Sequence, residues 1–374
     1  MLQLRSIGTF ASLLAFAHAL THQLIIGTLG TKSLYTVEFD DEASTLKLLA
    51  NTSVPVPGSW ITLNHDNTKL YTNAWATGPQ FASYSLSDNH EITHDVTIAA
   101  GGNCTATSIF VVANPNPPYS VYGSFFGSNG GCGSVLSVDE NGVLDAAIQN
   151  YTLSSAAGVH GTALSSDSRF LYSADDSANA LWTHSIDPET GKVTFVANLT
   201  ALSTGADPRH VAVHPSGKFL YVVLEGSNEI AQYTIDQSTG IPSFENVIYP
   251  LISSGDNASS YLGGDEVALS SSNKHLWATT RGGMDGTAGY ISVFTLDENG
   301  AIKSQNFLTH TSTSGGGSNA VAPSPSTDRY AALMDSSKGF VEIWELAEDA
   351  SNATIVAHLD LADGGCCANA VWLS

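Results

Sequence analysis

Apolar and polar residues alternate along this chain in short strand-like runs, and one pattern of runs recurs through most of it. Each unit has small residues, a short alternating strand, a polar turn and a second strand with an aromatic residue. Four clear copies are WITLNHDNTKLYTNAW (60–75), GTALSSDSRFLYSADD (161–176), HVAVHPSGKFLYVVLE (210–225) and EVALSSSNKHLWATTR (266–281). Units begin near residues 58, 104, 158, 206, 263, 317 and 366, a spacing of 46 to 57 residues. Alternation with period two predicts β-strands, and no helical periodicity is sustained.

Most units continue with a third strand and an acidic-glycine hairpin, as in ALWTHSIDPETGKVTF (180–195). Four antiparallel strands at this period are typical of a β-propeller blade. The last residues, NAVWLS (369–374), repeat only a first strand, whereas LIIGTLGTKSLYTVEF (24–39) lacks one. We therefore predict an all-β, seven-bladed propeller in one domain, 20–374. Its last blade closes when the C-terminal strand pairs with the N-terminal strands, which removes exposed sheet edges.

Residues 1–19 are predicted to be a secretory signal peptide. Arg5 supplies a basic start, an apolar stretch follows, and Ala17-His18-Ala19 resembles a cleavage site. No other stretch has the ~18 apolar residues that a membrane-spanning helix needs. The expected location is secreted and extracellular, with the cell wall as one possible destination. Six Asn-x-Ser/Thr sequons agree with export and predict N-glycans at Asn51, Asn103, Asn150, Asn198, Asn257 and Asn352.

The chain is strongly acidic, with 35 Asp and Glu against 13 Lys and Arg and a formal net charge of −22. This balance argues against nucleic acid, because binding to nucleic acid depends on neutralising phosphates with Lys and Arg. Four cysteines are present at Cys104, Cys132, Cys366 and Cys367. They allow three pairings, and their spacing does not choose among them.

Lining up the units points to one end of the propeller channel. The innermost strand of a blade begins, and its second strand ends, on the same face beside the channel. The first position is occupied by Ser59, His160, Arg209, Asp265, Asn319 and Asn369, and the second by Trp75, Asp176, Glu225, Arg281 and Asp335. So many polar side chains at converging positions predict a binding site.

His160, Arg209, Glu225 and Arg281 lie on consecutive blades and form the candidate set. A structural alternative exists for each: a hydrogen-bonded turn histidine, an Arg209–Glu225 ion pair within one blade, and a solvated loop arginine. Strand alternation predicts that His210 points away from the channel if Arg209 points into it.

The segment GADPRHVAVHPSGKFLYVVLEGSNEI (205–230) carries a Pro-Arg-His…His-Pro-x-Gly…Tyr-Val-x-x-Glu pattern. On this pattern, the chain resembles the seven-bladed lactonase family: bacterial propeller-type 6-phosphogluconolactonases and fungal carboxymuconate cyclases, including exported fungal members. The resemblance covers nearly all of the mature chain. It implies lactone formation or opening without a metal or organic cofactor, on a small anionic or lactone substrate. It also implies that His160 and Glu225 are catalytic acid/base groups and that Arg209 and Arg281 clamp substrate carboxylates.

Two other functions remain open at this point. One is a non-catalytic extracellular glycoprotein for adhesion or recognition, in which the activity of the family is changed or lost. The other is a metal-dependent lactone hydrolase, in which acidic and amide side chains at the channel mouth offer oxygen ligands to a hard cation. No Asp-x-Asp calcium loop supports the second alternative.

Overall fold

Almost all regular structure in this protein is β-strand. The computed structural model describes residues 20–127, 131–283, 286–361 and 366–373, and the predicted signal peptide lies outside these ranges. Among them, the strands form seven four-stranded antiparallel sheets, and one 3-10 turn spans Ala258–Ser260. None of these residues forms a helix long and apolar enough to cross a membrane.

The first three strands build blade 1 together with the last strand of the chain, whose bounds are β28 (Cys366–Trp372), β1 (Thr21–Thr28), β2 (Ser33–Asp40) and β3 (Thr45–Ser53). Blades 2 and 3 consist of β4 (Ile61–Leu63), β5 (Lys69–Asn73), β6 (Gln80–Leu86), β7 (Ile92–Ala99), β8 (Thr107–Ala113), β9 (Val121–Phe126), β10 (Cys132–Val138) and β11 (Leu144–Thr152). Blades 4 and 5 consist of β12 (Val159–Leu164), β13 (Phe170–Asp175), β14 (Ala180–Ile186), β15 (Val193–Thr200), β16 (Pro208–Val213), β17 (Phe219–Leu224), β18 (Glu229–Ile235) and β19 (Pro242–Pro250). Blades 6 and 7 consist of β20 (Tyr261–Leu269), β21 (His275–Gly282), β22 (Tyr290–Leu296), β23 (Ile302–His310), β24 (Val321–Pro323), β25 (Tyr330–Asp335), β26 (Phe340–Leu346) and β27 (Ala353–Asp360).

The predicted closure of the propeller is confirmed. Strand β28 pairs antiparallel with β1, and Trp372 lies opposite Leu24. The indole N–H of Trp372 donates to the carbonyl oxygen of Ala322 in blade 7 at 2.8 Å. Trp372 also belongs to an apolar cluster that contains Phe39 and Tyr330 from the two adjoining blades. The C-terminal strand therefore joins blade 1 to blade 7 as well as completing blade 1.

Acidic-glycine hairpins connect several blades to their neighbours. In blade 3, the Asp139 side chain accepts hydrogen bonds from the backbone of the turn, and Gly142 adopts a φ of 76°, a conformation that favours glycine. The carbonyl oxygen of Gly142 then accepts a hydrogen bond from the Tyr71 hydroxyl of blade 2 at 2.6 Å. Tyr122 makes the same contact with Gly191 of blade 4 at 2.9 Å. The aromatic residue of the second strand and the hairpin glycine thus form one repeated contact between blades.

All six predicted glycosylation residues have exposed side chains. Three of them lie on the outermost strand of a blade: Asn51 on β3, Asn150 on β11 and Asn198 on β15. These three positions lie on the outer rim of the propeller, and glycosylation itself stays a prediction. The cysteines pair as Cys104–Cys132 within blade 3 and as the adjacent residues Cys366–Cys367.

Removing the Trp372 side chain is expected to destabilise the whole propeller. The Trp372→Ala variant leaves a cavity between two blades and removes the indole hydrogen bond to Ala322, so we expect a loss of about 3–5 kcal/mol in the free energy of unfolding. Urea denaturation measures this loss. Ile355→Ala is the control, since Ile355 is an apolar side chain that is 42% exposed. Equal stability of the two variants would contradict the role given to the C-terminal strand.

Candidate active site

A pocket of about 300 Å³ opens at one end of the propeller channel, and all seven blades contribute residues to it. One side of the pocket is apolar and consists of Leu29, Trp60, Trp75, Ile109 and Phe126. The facing side is ionisable and consists of His160, Asp176, Arg209, Glu225 and Arg281. The pocket therefore presents an aromatic wall opposite a wall of acids, bases and guanidinium groups.

The structure brings the four candidate residues, His160, Arg209, Glu225 and Arg281, into this one pocket. Three further aligned positions, Ser59, Trp75 and Asp176, line it as well. The remaining aligned positions do not line the pocket but are buried in the propeller: Asp265, Asn319, Asn369 and Asp335.

Two arginines and two carboxylates form an ion-pair network beneath the pocket. Arg209 Nε lies 2.8 Å from Glu225 Oε2, and Arg281 Nη2 lies 2.9 Å from Glu225 Oε1. On the other side, Asp265 Oδ1 contacts Arg209 Nη1 and lies 3.5 Å from Arg281 Nε. Glu225 therefore bridges the two guanidinium groups from the pocket side, whereas Asp265 bridges them from the buried side, inside the propeller.

Asp265 is fully buried and links three blades. Its Oδ2 accepts a hydrogen bond from the backbone N–H of Asn319 in blade 7 at 2.5 Å. Burial alone would raise the pKa of the Asp265 carboxyl, but Arg209 and Arg281 hold that pKa below its usual value. Asp265 is therefore an anion that fixes both arginines, and their orientation does not depend on a bound ligand.

The prediction that His210 points away from the channel is wrong. The pairing of β16 with β17 shifts register between Pro208 and His210, so Arg209 sits in a β-bulge. A bulge breaks strict side-chain alternation and re-aims the residues on either side of it. Arg209 thus lines the pocket, and His210 packs behind it against the rings of Trp60 and Phe110. His160 lies at an equivalent register shift between Val159 and Gly161.

His160 and His210 are hydrogen-bonded to each other. Nδ1 of His160 lies 2.9 Å from Nε2 of His210. Burial, Arg209 and the neighbouring His210 lower the pKa of His160 well below its ordinary value. His160 is therefore neutral at pH 7. Glu225 contacts the two arginines.

Asp176 is a pocket carboxyl that the sequence alignment placed at the channel but that the candidate set omitted. Burial, Glu225 and Asp207 raise its pKa to about 7. At neutral pH, a large share of Asp176 carries a proton, which is unusual for an aspartate and is typical of functional sites. Its position at the end of the second strand was visible in the sequence, but its altered pKa depends on the burial that only the fold creates.

Three of the side chains that could offer oxygen ligands to a metal ion are committed to protein groups. Asp265 binds the arginines, Asn369 Oδ1 accepts from the backbone of Ile61 at 3.0 Å, and Asp335 accepts from the backbone N–H of Lys338 at 2.6 Å. Across residues 20–127, 131–283, 286–361 and 366–373, no group of three or more His, Cys, Asp or Glu is arranged to hold a metal ion. Two guanidinium groups at the same place also oppose a cation.

These features define a class: a seven-bladed propeller with a pocket of acid/base and guanidinium groups at its channel mouth. Residues 23–353 match the family described as lactonase, 7-bladed β-propeller. The chain is 35% identical to the carboxy-cis,cis-muconate cyclase of Neurospora crassa, over 94% of this chain and 99% of that protein. It is 27% identical to muconate cycloisomerase 1 of Cutaneotrichosporon cutaneum, over 88% of this chain and 91% of that protein.

The chain therefore belongs to the lactonase family of seven-bladed β-propellers. Solved structures agree with the fold. The periplasmic gluconolactonase of Pseudomonas aeruginosa superposes with a TM-score of 0.79 at 16% identity, over 95% of this chain and 99% of that chain.

Asp176 makes the stability of the protein depend on pH in a specific direction. Its folded pKa of about 7 exceeds the ordinary value of 3.8, so the folded state binds more protons between these values. Stability contributed by the neutral carboxyl is complete below about pH 4 and is lost as pH rises through about 7. Replacing Asp176 with Asn removes this dependence. As pH rises from about 4 to about 7, we therefore expect wild type to lose free energy of unfolding relative to the Asp176→Asn variant.

Urea denaturation at a series of pH values measures this difference. Asp88→Asn is the matched control, because Asp88 is exposed. A difference for Asp176→Asn that stays constant from pH 4 to pH 8 would show that the carboxyl is not held neutral.

Proposed function

We propose that this protein forms or opens a lactone at the channel mouth by acid/base chemistry of the carboxymuconate cyclase type. The observation that carries the proposal is the placement of one imidazole, two guanidinium groups and a carboxyl of raised pKa around a single small pocket. The 35% identity to a carboxy-cis,cis-muconate cyclase over nearly the whole chain supports it. Family membership supports an enzyme of lactone chemistry in general, and the reaction direction and substrate are part of the proposal.

In the cyclising direction, a substrate carboxylate oxygen adds to one carbon of a double bond and a proton goes to the neighbouring carbon. His160 is the proposed proton donor and the two arginines hold the carboxylate. In the opening direction, the same arginines bind the lactone carbonyl oxygen, where negative charge develops when water attacks. Positioned acid–base catalysis typically contributes a factor of about 10²–10⁴ in rate.

The arginines are shared between the protein and the ligand. Arg209 uses Nε and Nη1 for Glu225 and Asp265. Arg281 uses Nη2 and Nε for the same two carboxylates, and within the described part of the chain its Nη1 donates to the carbonyl oxygen of Gly317 at 3.4 Å. This arrangement leaves Nη2 of Arg209 and Nη1 of Arg281 as the donors for a substrate. Two donors fit one carboxylate or one lactone carboxyl group, with the remainder of the ligand against the aromatic wall.

Asp176 completes the proposed site by limiting repulsion. Glu225 and Asp265 already balance the positive charges of the two arginines. A protonated Asp176 adds no further negative charge that would repel an anionic substrate. The local network has no surplus positive charge, so binding depends on directed hydrogen bonds rather than on a net positive field.

We also propose that the protein acts outside the cell. The predicted signal peptide and the six exposed sequon asparagines support export. A purely adhesive role for the propeller is the outcome that the assay below distinguishes.

The experiment is a turnover assay of the purified mature protein on carboxymuconate, cis,cis-muconate, gluconolactone and 6-phosphogluconolactone, with and without a chelator. We expect chelator-insensitive turnover of at least one substrate. Absence of turnover on the whole panel would contradict the proposal and favour a binding role. Loss of turnover with chelator would instead favour a metal-dependent hydrolase.

A charge-preserving change at Arg281 tests the arginine clamp. Lysine keeps the positive charge but loses the planar fork, so Arg281→Lys cannot bridge Glu225, Asp265 and a substrate together. We expect kcat/KM to fall by about 10²-fold, as for other residues that hold substrate in position. Arg169→Lys is the control, because Arg169 is an exposed arginine that pairs with Asp167 and does not line the pocket. Equal kcat/KM for both variants would show that Arg281 does not hold the substrate.

A further inference from the structure

A line of three ionisable side chains runs from the pocket into the centre of the propeller. His160 lines the pocket, and its Nδ1 is hydrogen-bonded to Nε2 of His210 at 2.9 Å. Nδ1 of His210 lies 2.6 Å from Oε2 of Glu266. The three residues come from β12, β16 and β20, the innermost strands of three consecutive blades. The first contact is a hydrogen bond. The second is close enough for proton transfer, but its two atoms are not aligned as a hydrogen bond, so transfer needs a small rotation of the carboxyl group or the ring.

The inner part of this line is shielded from water. His210 is 1% exposed and Glu266 is 7% exposed. The rings of Trp60 and Phe110 lie 4.6 Å and 5.5 Å from the His210 ring. Oε1 of Glu266 accepts a hydrogen bond from the backbone N–H of Val267 at 3.0 Å, which holds the carboxyl group beside His210.

A buried Glu–His contact is costly unless the charges are removed or balanced. The charged groups that face the line are Arg209, Arg281, Asp265 and Glu225, all members of the ion-pair network. Burial together with Asp265 raises the pKa of Glu266 well above its ordinary value. Burial and Arg209 lower the pKa of His210 well below its ordinary value. These directions favour three neutral groups, with a proton on the carboxyl of Glu266.

The neutral arrangement fixes which nitrogens carry protons. Protonated Glu266 donates to His210 Nδ1, so His210 carries its own proton on Nε2 and donates it to Nδ1 of His160. His160 then carries its proton on Nε2, the ring nitrogen that the His210 contact leaves for the pocket. The protein thus presents a neutral N–H at the position where the proposed reaction needs a proton.

We propose that Glu266 and His210 form a proton relay that supplies the proton His160 delivers to the substrate. This proposal rests on the lactone chemistry proposed above and adds the source of the proton. Glu266 and His210 touch no substrate and act through His160, so they are positioning residues.

The transfer balances in atoms and charge. In the cyclising direction, a substrate carboxylate oxygen forms a C–O bond to one alkene carbon, and the π electrons form a C–H bond at its neighbour. The proton of this bond leaves His160 Nε2, while His160 Nδ1 takes the proton of His210 Nε2 and His210 Nδ1 takes that of Glu266. The substrate loses one negative charge and Glu266 gains one, facing Arg209. Solvent returns a proton along the same line before the next turnover.

The relay also resolves a difficulty with His160. A neutral imidazole is a very weak acid when it must become an anion. If His160 gains a proton on Nδ1 as it gives one from Nε2, it stays neutral throughout. The effective acidity of the proton donor is then that of the Glu266 carboxyl rather than that of an isolated imidazole.

The test is the pH dependence of kcat and KM in the Glu266→Gln variant. Glutamine keeps the size of the side chain and can donate an N–H to His210, but it cannot release a proton. We expect kcat to fall by about 10–100-fold with little change in KM, and the decline of kcat at high pH to disappear. Glu342→Gln is the matched control, since Glu342 is a buried glutamate 3.2 Å from His358 in blade 7 and does not line the pocket. A wild-type kcat and pH profile in Glu266→Gln would overturn the relay.

A measurement without turnover keeps the relay and the proposed function separable. In protein labelled with ¹⁵N-histidine, NMR reports the protonation of each ring nitrogen. We expect His160 and His210 to be neutral at pH 7, each with its proton on Nε2. An imidazolium at either residue, or a proton on Nδ1 of His160, would overturn the relay. Wild type that shows this pattern but turns over none of the lactones or muconates would overturn the proposed function alone.

Discussion

The centre of this propeller depends on one ion-pair network, in which Glu225 and Asp265 each bridge Arg209 and Arg281. The network lies across blades 5 and 6, and Asp265 extends it to the backbone of blade 7. Such buried charges stay ionised because each has partners of opposite sign, and removing one partner from a buried pair typically costs about 3–5 kcal/mol. The network therefore fixes the position of both guanidinium groups and also sets the charge that every other ionisable group of the pocket meets.

The properties of the remaining polar groups follow from this arrangement. The positive charge of Arg209 and Arg281 adds to burial in lowering the pKa of His160, whereas the negative charge of Glu225 adds to burial in raising the pKa of Asp176. A neutral imidazole and a carboxyl with a pKa of about 7 thus face an aromatic wall. A pocket of this kind suits a substrate with an unsaturated or apolar body and one carboxyl group held by directed hydrogen bonds.

The sequence predicted the fold in detail because each blade repeats its own local signals. The orphan strand at the C-terminus and the incomplete unit at the N-terminus predicted the closure seen between β28 and β1. Alignment of the repeats also predicts that His160, Arg209, Glu225 and Arg281 converge, and the structure places them in one pocket. Their roles in catalysis remain proposals. What the sequence did not predict is a second layer behind the pocket, in which the aligned residue Asp265 lies with His210 and Glu266. Register shifts in β16 and β20 break the alternation on which the prediction relied, and altered pKa values depend on burial that no sequence pattern reports.

The destination of the transferred proton tests the central claim most directly. Carboxymuconate is incubated with the protein in D₂O, and NMR locates deuterium in the lactone. If His160 protonates a substrate held by the two arginines, a single deuterium appears at the carbon next to the new C–O bond and on one face only. A product with deuterium on both faces in equal amounts would show that no positioned acid delivers the proton, and it would contradict this account.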